Sequence, residues 1–176
     1  MALYAERGFE QTTVADIAAR AGLTKRTFFR HYADKRDVLF AGAGHLQEYV
    51  VKTVAEAPDP SSPIAAAAAG VQAAGALLQE RRDAARRRQA VIDANPELQE
   101  REVVKLAALA AAVAEALRGR GVADRTASLA AEAAIAVFRI AFEAWIAEPD
   151  HGSEQSDLAR GIVESFDALK AVTAGE

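Results

Sequence analysis

Apolar residues recur at helical spacing along most of the chain. Near the N-terminus, Val14, Ile17, Ala18 and Ala21 stand at i, i+3, i+4 and i+7, which places them on one face of a helix. A second run with the same period is longer and contains Val103, Leu106, Leu109, Val113 and Leu117. No segment shows the sustained alternation of apolar and polar residues that is typical of a strand. The pattern predicts an all-α fold.

Glycine, proline and capping residues divide the pattern into about nine helices. Gly8, Gly22 and Gly121 stand where three helices should end, and Thr13 followed by Asp16 resembles a capping box. The expected helices are residues 1–7, 14–21, 25–32, 35–57, 64–79, 82–94, 96–120, 123–148 and about 154–173, the last capped by Ser153. The proline-rich segment 58–63 predicts a linker.

The apolar residues are mostly alanine, and this changes the kind of core that we expect. Hydrophobic residues make up 51% of the 176 residues, but aromatic residues only 6%. Because alanine favours helix and adds little volume, the helices should pack close together. The chain has no cysteine, which excludes disulfides and cysteine zinc sites. No segment has the pattern of a signal peptide or membrane span, so we expect a cytoplasmic protein without membrane contact.

Charge is unevenly distributed along the chain. The formal net charge is −4, yet residues 1–40 contain seven Lys or Arg against five Asp or Glu. Six of these basic residues lie within residues 20–36. A small basic region on an acidic chain is typical of a local DNA-binding module. A basic run can also be an ordinary solvated helix face, so the surrounding motif has to decide.

Residues 13–32 have the pattern of a helix-turn-helix. Ala18 is small where two helices would cross, and Gly22 suits a left-handed turn. Phe28 and Tyr32 form an i, i+4 apolar pair on the second helix, and Leu23 should join their core from the turn. The opposite face of the second helix is basic, which favours binding in a major groove.

The run Gly8-Phe-Glu-Gln-Thr-Thr-Val-Ala-Asp-Ile-Ala-Ala-Arg-Ala-Gly-Leu-Thr24, followed by Thr27-Phe-Phe-Arg-His-Tyr-Ala-Asp-Lys35, resembles a known DNA-binding domain. It is similar to that of the tetracycline-repressor (TetR) family over about residues 1–40. The resemblance implies a three-helix DNA-binding head in residues 1–40 and a helical ligand-binding and dimerisation domain in residues 41–176. A connecting helix, about residues 35–57, would join them. Residues 1–7 are shorter than the first helix of the family, and we interpret them as truncated.

The motif and the resemblance together indicate which residues contact DNA. The residues expected to contact bases are Lys25, Arg26, Thr27 and Arg30. The residues expected to contact the DNA backbone are Thr13, Thr24, Phe29, His31 and Lys35. Helix N-termini at Thr13 and Lys35 should offer N–H groups to phosphates. Family members often carry tyrosine at the position of Phe29, which has no hydroxyl and is expected to make an apolar contact.

The C-terminal domain carries weaker predictions. In the family the last two helices form a four-helix bundle with a second subunit. The resemblance therefore implies an interface containing Phe138, Phe142, Trp145 and Phe166. The alternative is that Arg139 or Glu143 faces a ligand pocket. Arginines at residues 81–88 form either a solvated face or a site for an anionic ligand. The pocket residues are unknown, and an apolar or amphipathic ligand is expected.

These observations predict a homodimeric, sequence-specific DNA-binding transcription regulator. It would be a repressor that a small molecule releases from a palindromic operator on double-stranded DNA. The alternative is a helical dimeric adaptor or ligand-binding protein with weak or no DNA binding. An enzyme is disfavoured because cysteine, clustered histidines and a phosphate-binding glycine loop are all missing from the sequence. We expect no catalytic residue, no cofactor and no metal.

Overall fold

The computed structural model describes residues 2–149 and 157–175, which form α-helices joined by short turns. In chain order the helices are α1 (Ala2–Arg7), α2 (Val14–Arg20), α3 (Lys25–His31), α4 (Ala43–Ala55), α5 (Pro63–Leu78), α6 (Arg82–Asp93), α7 (Pro96–Gly119), α8 (Asp124–Ala147) and α9 (Leu158–Ala174). The predicted all-α fold is confirmed. Met1 and Ser153 lie outside the described residues.

Local signals explain most helix ends. Gly8, Gly22 and Gly121 follow α1, α2 and α7, and each has a positive φ that glycine adopts without a side-chain clash. Ser62 accepts the N–H of Ala65 at the start of α5, and Asp157 caps α9. These short-range bonds satisfy backbone groups that have no partner inside the helix. The positions of these helix ends are therefore determined by residues close to them in sequence.

The segment after α3 differs from the continuous helix that we expected over residues 35–57. The Asp34 carboxylate does not cap a helix at Lys35. It accepts the N–H groups of Arg36 at 2.8 Å and Asp37 at 3.2 Å, and a short 3-10 helix follows at Asp37–Phe40. Leu39 and Phe40 are both buried. Burying these two neighbours in one apolar cluster with Tyr4, Ile92 and Leu98 turns the chain, and α4 begins only at Ala43.

The helical period of α7 does not by itself show which of its residues are buried. Val103 shares the period of Leu109, Val113 and Leu117 but is 66% exposed, whereas those three are buried. Asn95 precedes Pro96, but its side chain donates to the Val91 carbonyl at 2.6 Å and makes no capping bond to α7.

The larger apolar cluster, which we call the body cluster, is built from the buried faces of α4, α5, α7, α8 and α9. α5 lies at its centre and packs on α4, α8 and α9. A Cβ at Gly70 would lie 2.6 Å from Val54 Cγ2, and one at Gly75 would lie 2.8 Å from Ile162 Cδ1. The small residues of α5 thus allow its neighbours to approach closely, as the alanine-rich composition predicted. In the described ranges no helix is both long and apolar enough to cross a membrane.

The smaller cluster, which we call the head cluster, is separate from the body cluster. Its buried members come from three places along the chain: Tyr4 and Phe9, then Leu39 and Phe40, then Ile92 and Leu98. The first four lie within residues 1–41, whereas Ile92 belongs to α6 and Leu98 to α7. The head therefore shares its core with the corner between α6 and α7.

Candidate nucleic-acid interface

The start of α2 is fixed by the predicted capping box. The Thr13 hydroxyl accepts the N–H of Asp16 at 3.2 Å, and the Asp16 carboxylate accepts the N–H of Thr13 at 2.9 Å. Hydrogen bonds from the Thr13 side chain and backbone hold the pKa of Asp16 below its usual range, and Arg7 adds a smaller effect. These reciprocal bonds fix where α2 begins and leave the Thr13 side chain exposed.

The crossing of α2 and α3 has the geometry that the motif predicted. Ala18 is 1% exposed and Phe28 is 2% exposed, so the two helices meet through a small and a large side chain. Gly22 has φ +68°, and the N–H of Leu23 donates to the Ala18 carbonyl at 2.8 Å. Leu23 itself is 43% exposed, so the expectation that it joins the core was wrong.

The outer face of α3 carries the residues predicted to contact bases. Lys25, Arg26 and Arg30 are exposed, and Thr27 is partly buried. Among the residues that the structure describes, no carboxylate lies within ion-pair distance of these three basic side chains. Phe29 is 56% exposed beside them. Phe28 on the opposite face anchors α3, so the basic face is presented on a helix whose rotation is fixed.

Two of the residues predicted to contact the DNA backbone lie on this same surface. The Thr24 hydroxyl caps α3 by accepting the N–H of Thr27 at 3.1 Å. It also lies 3.0 Å from the Thr27 hydroxyl. His31 is exposed at the end of α3, 3.5 Å from the Arg30 guanidinium. Thr24 and His31 therefore border the basic face at its two ends.

Lys35 is placed differently from the expectation. Its ammonium donates to the carbonyls of Phe9 at 2.8 Å and Glu10 at 3.2 Å, and it lies 4.2 Å from the centre of the Phe9 ring. No helix begins at Lys35, because the nearby N–H groups of Arg36 and Asp37 are bound by Asp34. The structure thus corrects the prediction of a helix N-terminus there and gives the Lys35 side chain partners within the head.

Asp34 and Tyr4 fix the chain where it leaves α3. Partial burial raises the pKa of Asp34, but hydrogen bonds from the Arg36 side chain and from the N–H groups of Asp37 and Arg36 lower it further, and the net shift is downward. The Tyr4 hydroxyl donates to the Lys35 carbonyl at 2.5 Å. Burial raises the pKa of Tyr4 to about 12, with a further contribution from Asp34. The phenol therefore remains a hydrogen-bond donor at neutral pH.

Three of the four aromatic residues predicted at the subunit interface are buried within the chain itself. Phe138, Trp145 and Phe166 belong to the body cluster, and Phe142 is partly buried beside them. Arg139 and Glu143 are exposed and form an ion pair at 2.9 Å on the outside of α8. Neither is enclosed in a pocket. The sequence did not single out the exposed apolar residues of α8, Leu129 at 66% and Ile140 at 53%.

The arginines of residues 81–88 are divided between two structural roles and the solvent. Arg82 donates to the Trp145 carbonyl at 2.9 Å, and Arg86 donates to that of Ile146 at 2.7 Å, so both bind the C-terminal end of α8. Arg88 donates to the Leu39 carbonyl at 2.9 Å. Arg81 and Arg87 are exposed. Neither alternative from the sequence describes Arg82, Arg86 and Arg88, which bind carbonyl groups of the chain. Each carbonyl is about fifty or more positions away along the chain, so the sequence alone does not indicate it.

This geometry defines an all-helical protein with a helix-turn-helix at one end. The family described as bacterial regulatory proteins, tetR family, matches residues 1–41, and the family described as MftR C-terminal domain matches residues 61–174. The chain belongs to the TetR family of DNA-binding transcription regulators. None of the curated proteins matches it.

Two solved structures of TetR-type regulators are similar to this chain. The TetR family transcriptional regulator PfmR from Thermus thermophilus has a TM-score of 0.52 and 19% identity, covering 96% of this chain and 93% of that one. A regulator of the TetR/AcrR family from Thermobifida fusca has a TM-score of 0.41 and 20% identity, covering 96% and 90%. The similarity to PfmR supports the fold alone.

Proposed function

We propose that this regulator is a homodimeric repressor that binds an inverted-repeat operator and is released from it by a small molecule. The observation that carries this proposal is the basic outer face of α3, held in place by the buried Phe28 and Ala18. A recognition helix needs both a fixed rotation and free hydrogen-bond donors at its N-terminal end. Such a regulator would act in the cytoplasm.

Base recognition is assigned to Lys25, Arg26, Thr27 and Arg30. Lysine and arginine donate to the O6 and N7 atoms of guanine, and a threonine methyl group contacts the methyl group of thymine. Because Lys25 and Arg26 are at the N-terminal end of α3, they are placed to reach furthest into the groove. Arg30 lies more than one turn further along and would contact bases towards the edge of the site.

Backbone contacts are assigned to Thr13, Thr24, Phe29 and His31. The two threonines are at the N-termini of α2 and α3 and are both exposed, which suits hydroxyl contacts to phosphate. Phe29 would pack on a sugar or a thymine methyl group. Lys35, which the sequence also predicted to contact the backbone, is left out of these contacts because its ammonium already donates to two carbonyl groups.

Dimerisation is assigned to α8 and α9. On α8, Leu129, Ala133, Ala136 and Ile140 stand at i, i+4, i+7 and i+11, which aligns them on one face, and Leu129 and Ile140 are more than half exposed. Val163 on α9 is 42% exposed. A two-fold dimer through these helices would place two copies of α3 in successive major grooves, about 34–36 Å apart. Phe138, Trp145 and Phe166 would support this interface from beneath.

Release requires a ligand that binds one conformation of the dimer better than another. The body cluster is composed of alanine and aliphatic residues with a few aromatic ones, so an apolar or amphipathic molecule fits its chemistry. Such a ligand would weaken operator binding only by its difference in affinity between the two states.

Selection of random duplex DNA at about 100–150 mM salt tests the proposal. We expect a palindromic site, and we expect Lys25→Ala and Arg26→Ala each to weaken its binding by about 1–3 kcal/mol with relaxed base preference. Arg81→Ala, an exposed arginine between α5 and α6, is the matched control and should leave binding unchanged. Weak binding that ignores sequence would contradict the repressor and favour the dimeric adaptor.

A further inference from the structure

The C-terminal end of α8 has no cap in its own sequence. Its last turn contains no basic residue, and the chain continues through Glu148 to Pro149 without a glycine. The last carbonyl groups of a helix have no donor within the helix. Those of Trp145 and Ile146, and that of Glu148 just beyond the helix, therefore need donors from solvent or from another part of the molecule.

The beginning of α6 supplies these donors. Arg82 donates from Nε to the Trp145 carbonyl at 2.9 Å and from Nη2 to the Glu148 carbonyl at 2.5 Å. Arg86, one turn later, donates from Nε to the Ile146 carbonyl at 2.7 Å and from Nη2 to the same Glu148 carbonyl. Two cations at a helix C-terminus also interact favourably with the helix dipole. A different helix thus caps α8.

The segment that leads into α6 contacts the start of α9. Gln79 Oε1 accepts the N–H of Leu158 at 3.0 Å, and Leu158 is fully buried. Gly75 stands four residues before Gln79 on the same face, and a Cβ there would lie 3.3 Å from the Ala159 Cα. The end of α5 therefore lies directly against the first turn of α9. One stretch of chain contacts both the end of α8 and the start of α9.

The contact between α6 and α8 is mainly polar. Of the α6 residues, all of which the structure describes, Ala85 is the one that belongs to the body cluster. Because alanine buries little apolar surface, the bonds from Arg82 and Arg86 make up much of this contact. Hydrogen bonds weaken steeply with distance and angle. A shift of α6 along α8 would therefore remove the cap.

The capped turn belongs to the surface assigned to dimerisation. Ile140, Ala144 and Ala147 are exposed and stand at i, i+4 and i+7, so the face that contains Leu129 continues to the end of α8. Val163, on the second turn of α9, is 42% exposed. Both parts of the proposed dimer surface thus reach the helix ends that these bonds hold.

We infer that residues 79–86, which we call the clamp, hold the end of α8 and the start of α9 in the arrangement that a second copy of this chain binds. Gln79, Arg82 and Arg86 are its positioning residues. The clamp links α6 to the dimer surface, because a shift of α6 releases the last turn of α8. The effect on dimerisation rests on the proposed function, whereas the capping of α8 does not.

Amide hydrogen exchange of the full chain at high protein concentration, followed by mass spectrometry, tests the capping. Arg86→Met should accelerate exchange in residues 141–148 at least about threefold, and the double variant with Arg82→Met about tenfold. Residues 124–136 should stay within about twofold, which distinguishes loss of the cap from loss of the dimer. Arg87→Met, an exposed neighbour on α6, is the matched control and should change neither region. An unchanged last turn in the double variant would overturn the inference.

Gln79 is tested by two variants that differ in the acceptor atom. Gln79→Met removes the oxygen that binds the Leu158 N–H and should accelerate exchange in residues 158–162 at least about threefold. Gln79→Glu keeps an acceptor oxygen near the N-terminus of α9, where a negative charge is favourable, and should retain most of the protection. Equal acceleration in both variants would overturn the role of Gln79.

Sedimentation of the same variants connects the clamp to dimerisation. Arg86→Met should raise the dimer dissociation constant about tenfold, whereas Arg87→Met should leave it unchanged. Arg86→Lys keeps a cationic donor at the end of α8 and should stay within about threefold of the unsubstituted protein. Unchanged dimerisation in the double variant, beside a last turn that exchanges faster, would overturn the link to the dimer. An unsubstituted protein that remains monomeric would contradict the proposed dimer, and the exchange pattern would still decide whether the clamp caps α8.

Discussion

The head and the body of this regulator are held together by different means. The head cluster consists of a few large side chains, with three aromatic rings among its six buried members, and charged groups surround it. The body cluster consists mainly of alanine and valine, and glycines of α5 let the neighbouring helices approach it closely. In the head, each large side chain supplies a large part of the buried apolar surface. In the body, most of the packing comes from the close approach of whole helices.

This difference predicts different responses to substitution in the head and in the body. A head fixed by a few large groups can be moved as a unit when its attachment changes. A body whose helices touch closely through small residues has low compressibility, so a change in one helix displaces its neighbours. Substitutions should therefore act locally and severely in the head, and in the body by changing how closely helices approach.

The largest contrast should come from truncating one phenylalanine in each region. Phe28→Ala removes the ring that anchors α3, and Phe138→Ala removes a buried ring from the body cluster. Each should cost about 3–5 kcal/mol of unfolding free energy. We expect Phe28→Ala to abolish operator binding while α8 and α9 keep their exchange protection. Phe138→Ala should lower the thermal transition of the body. Full operator affinity in Phe28→Ala would show that α3 is not anchored as described.

Sequence reasoning succeeded where the cause is local. The capping box of Thr13 and Asp16 and the glycine that ends α2 depend on residues within four positions of each other. It failed where the cause is distant. The 3-10 helix at Asp37–Phe40 exists because Leu39 and Phe40 are buried against a corner more than fifty residues away.

The candidate site divides in the same way. The exposure of Lys25, Arg26 and Arg30 follows from the helical period and the position of Phe28. The partners of Lys35 could not be predicted, because they are carbonyl groups of Phe9 and Glu10 that only the tertiary fold brings near. Likewise, no periodicity distinguishes an aromatic residue buried within one subunit, such as Trp145, from one at an interface.

Lys35→Met tests whether the ammonium group of Lys35 binds DNA or carbonyl groups within the head. The substitution keeps an unbranched side chain only one atom shorter but removes the donor to two carbonyl groups. We expect a loss of about 1–2 kcal/mol of unfolding free energy. We also expect no change in the slope of log affinity against log salt. A phosphate contact would instead reduce that slope by about 1 with little loss of stability. Lys105→Met on the exposed side of α7 is the control and should change neither quantity.

Two glycine substitutions test close packing in the body. Gly70→Ala would place a methyl group 2.6 Å from Val54 Cγ2 and 3.2 Å from the Val50 carbonyl oxygen, so the contact between α4 and α5 must open. We expect a net loss of about 1 kcal/mol of unfolding free energy, because overpacking exceeds the gain in helix propensity. Gly161→Ala on α9 meets no atom within 4 Å and should gain about 0.5–1 kcal/mol. Chemical denaturation measures both, and equal signs would contradict close packing at Gly70.

Lowering the pH should destabilise the head before the body, and we expect this to be the smallest of the four effects. Among the described residues, the carboxylates whose pKa is clearly lowered are Asp16 and Asp34, and both lie in the head. Because the folded pKa of each is below the unfolded value of about 4, each stabilises the head fully above about pH 5. This contribution is lost as the pH falls through the folded pKa. Exchange protection of α2 and α3 should therefore weaken between about pH 5 and pH 3 before that of α8. Asp34→Asn should lower head stability by less than about 1 kcal/mol at pH 7 and remove part of the acid dependence. The same acid dependence in Asp34→Asn as in the unsubstituted head would show that the bonds to Arg36 and Asp37 do not stabilise the chain where it leaves α3.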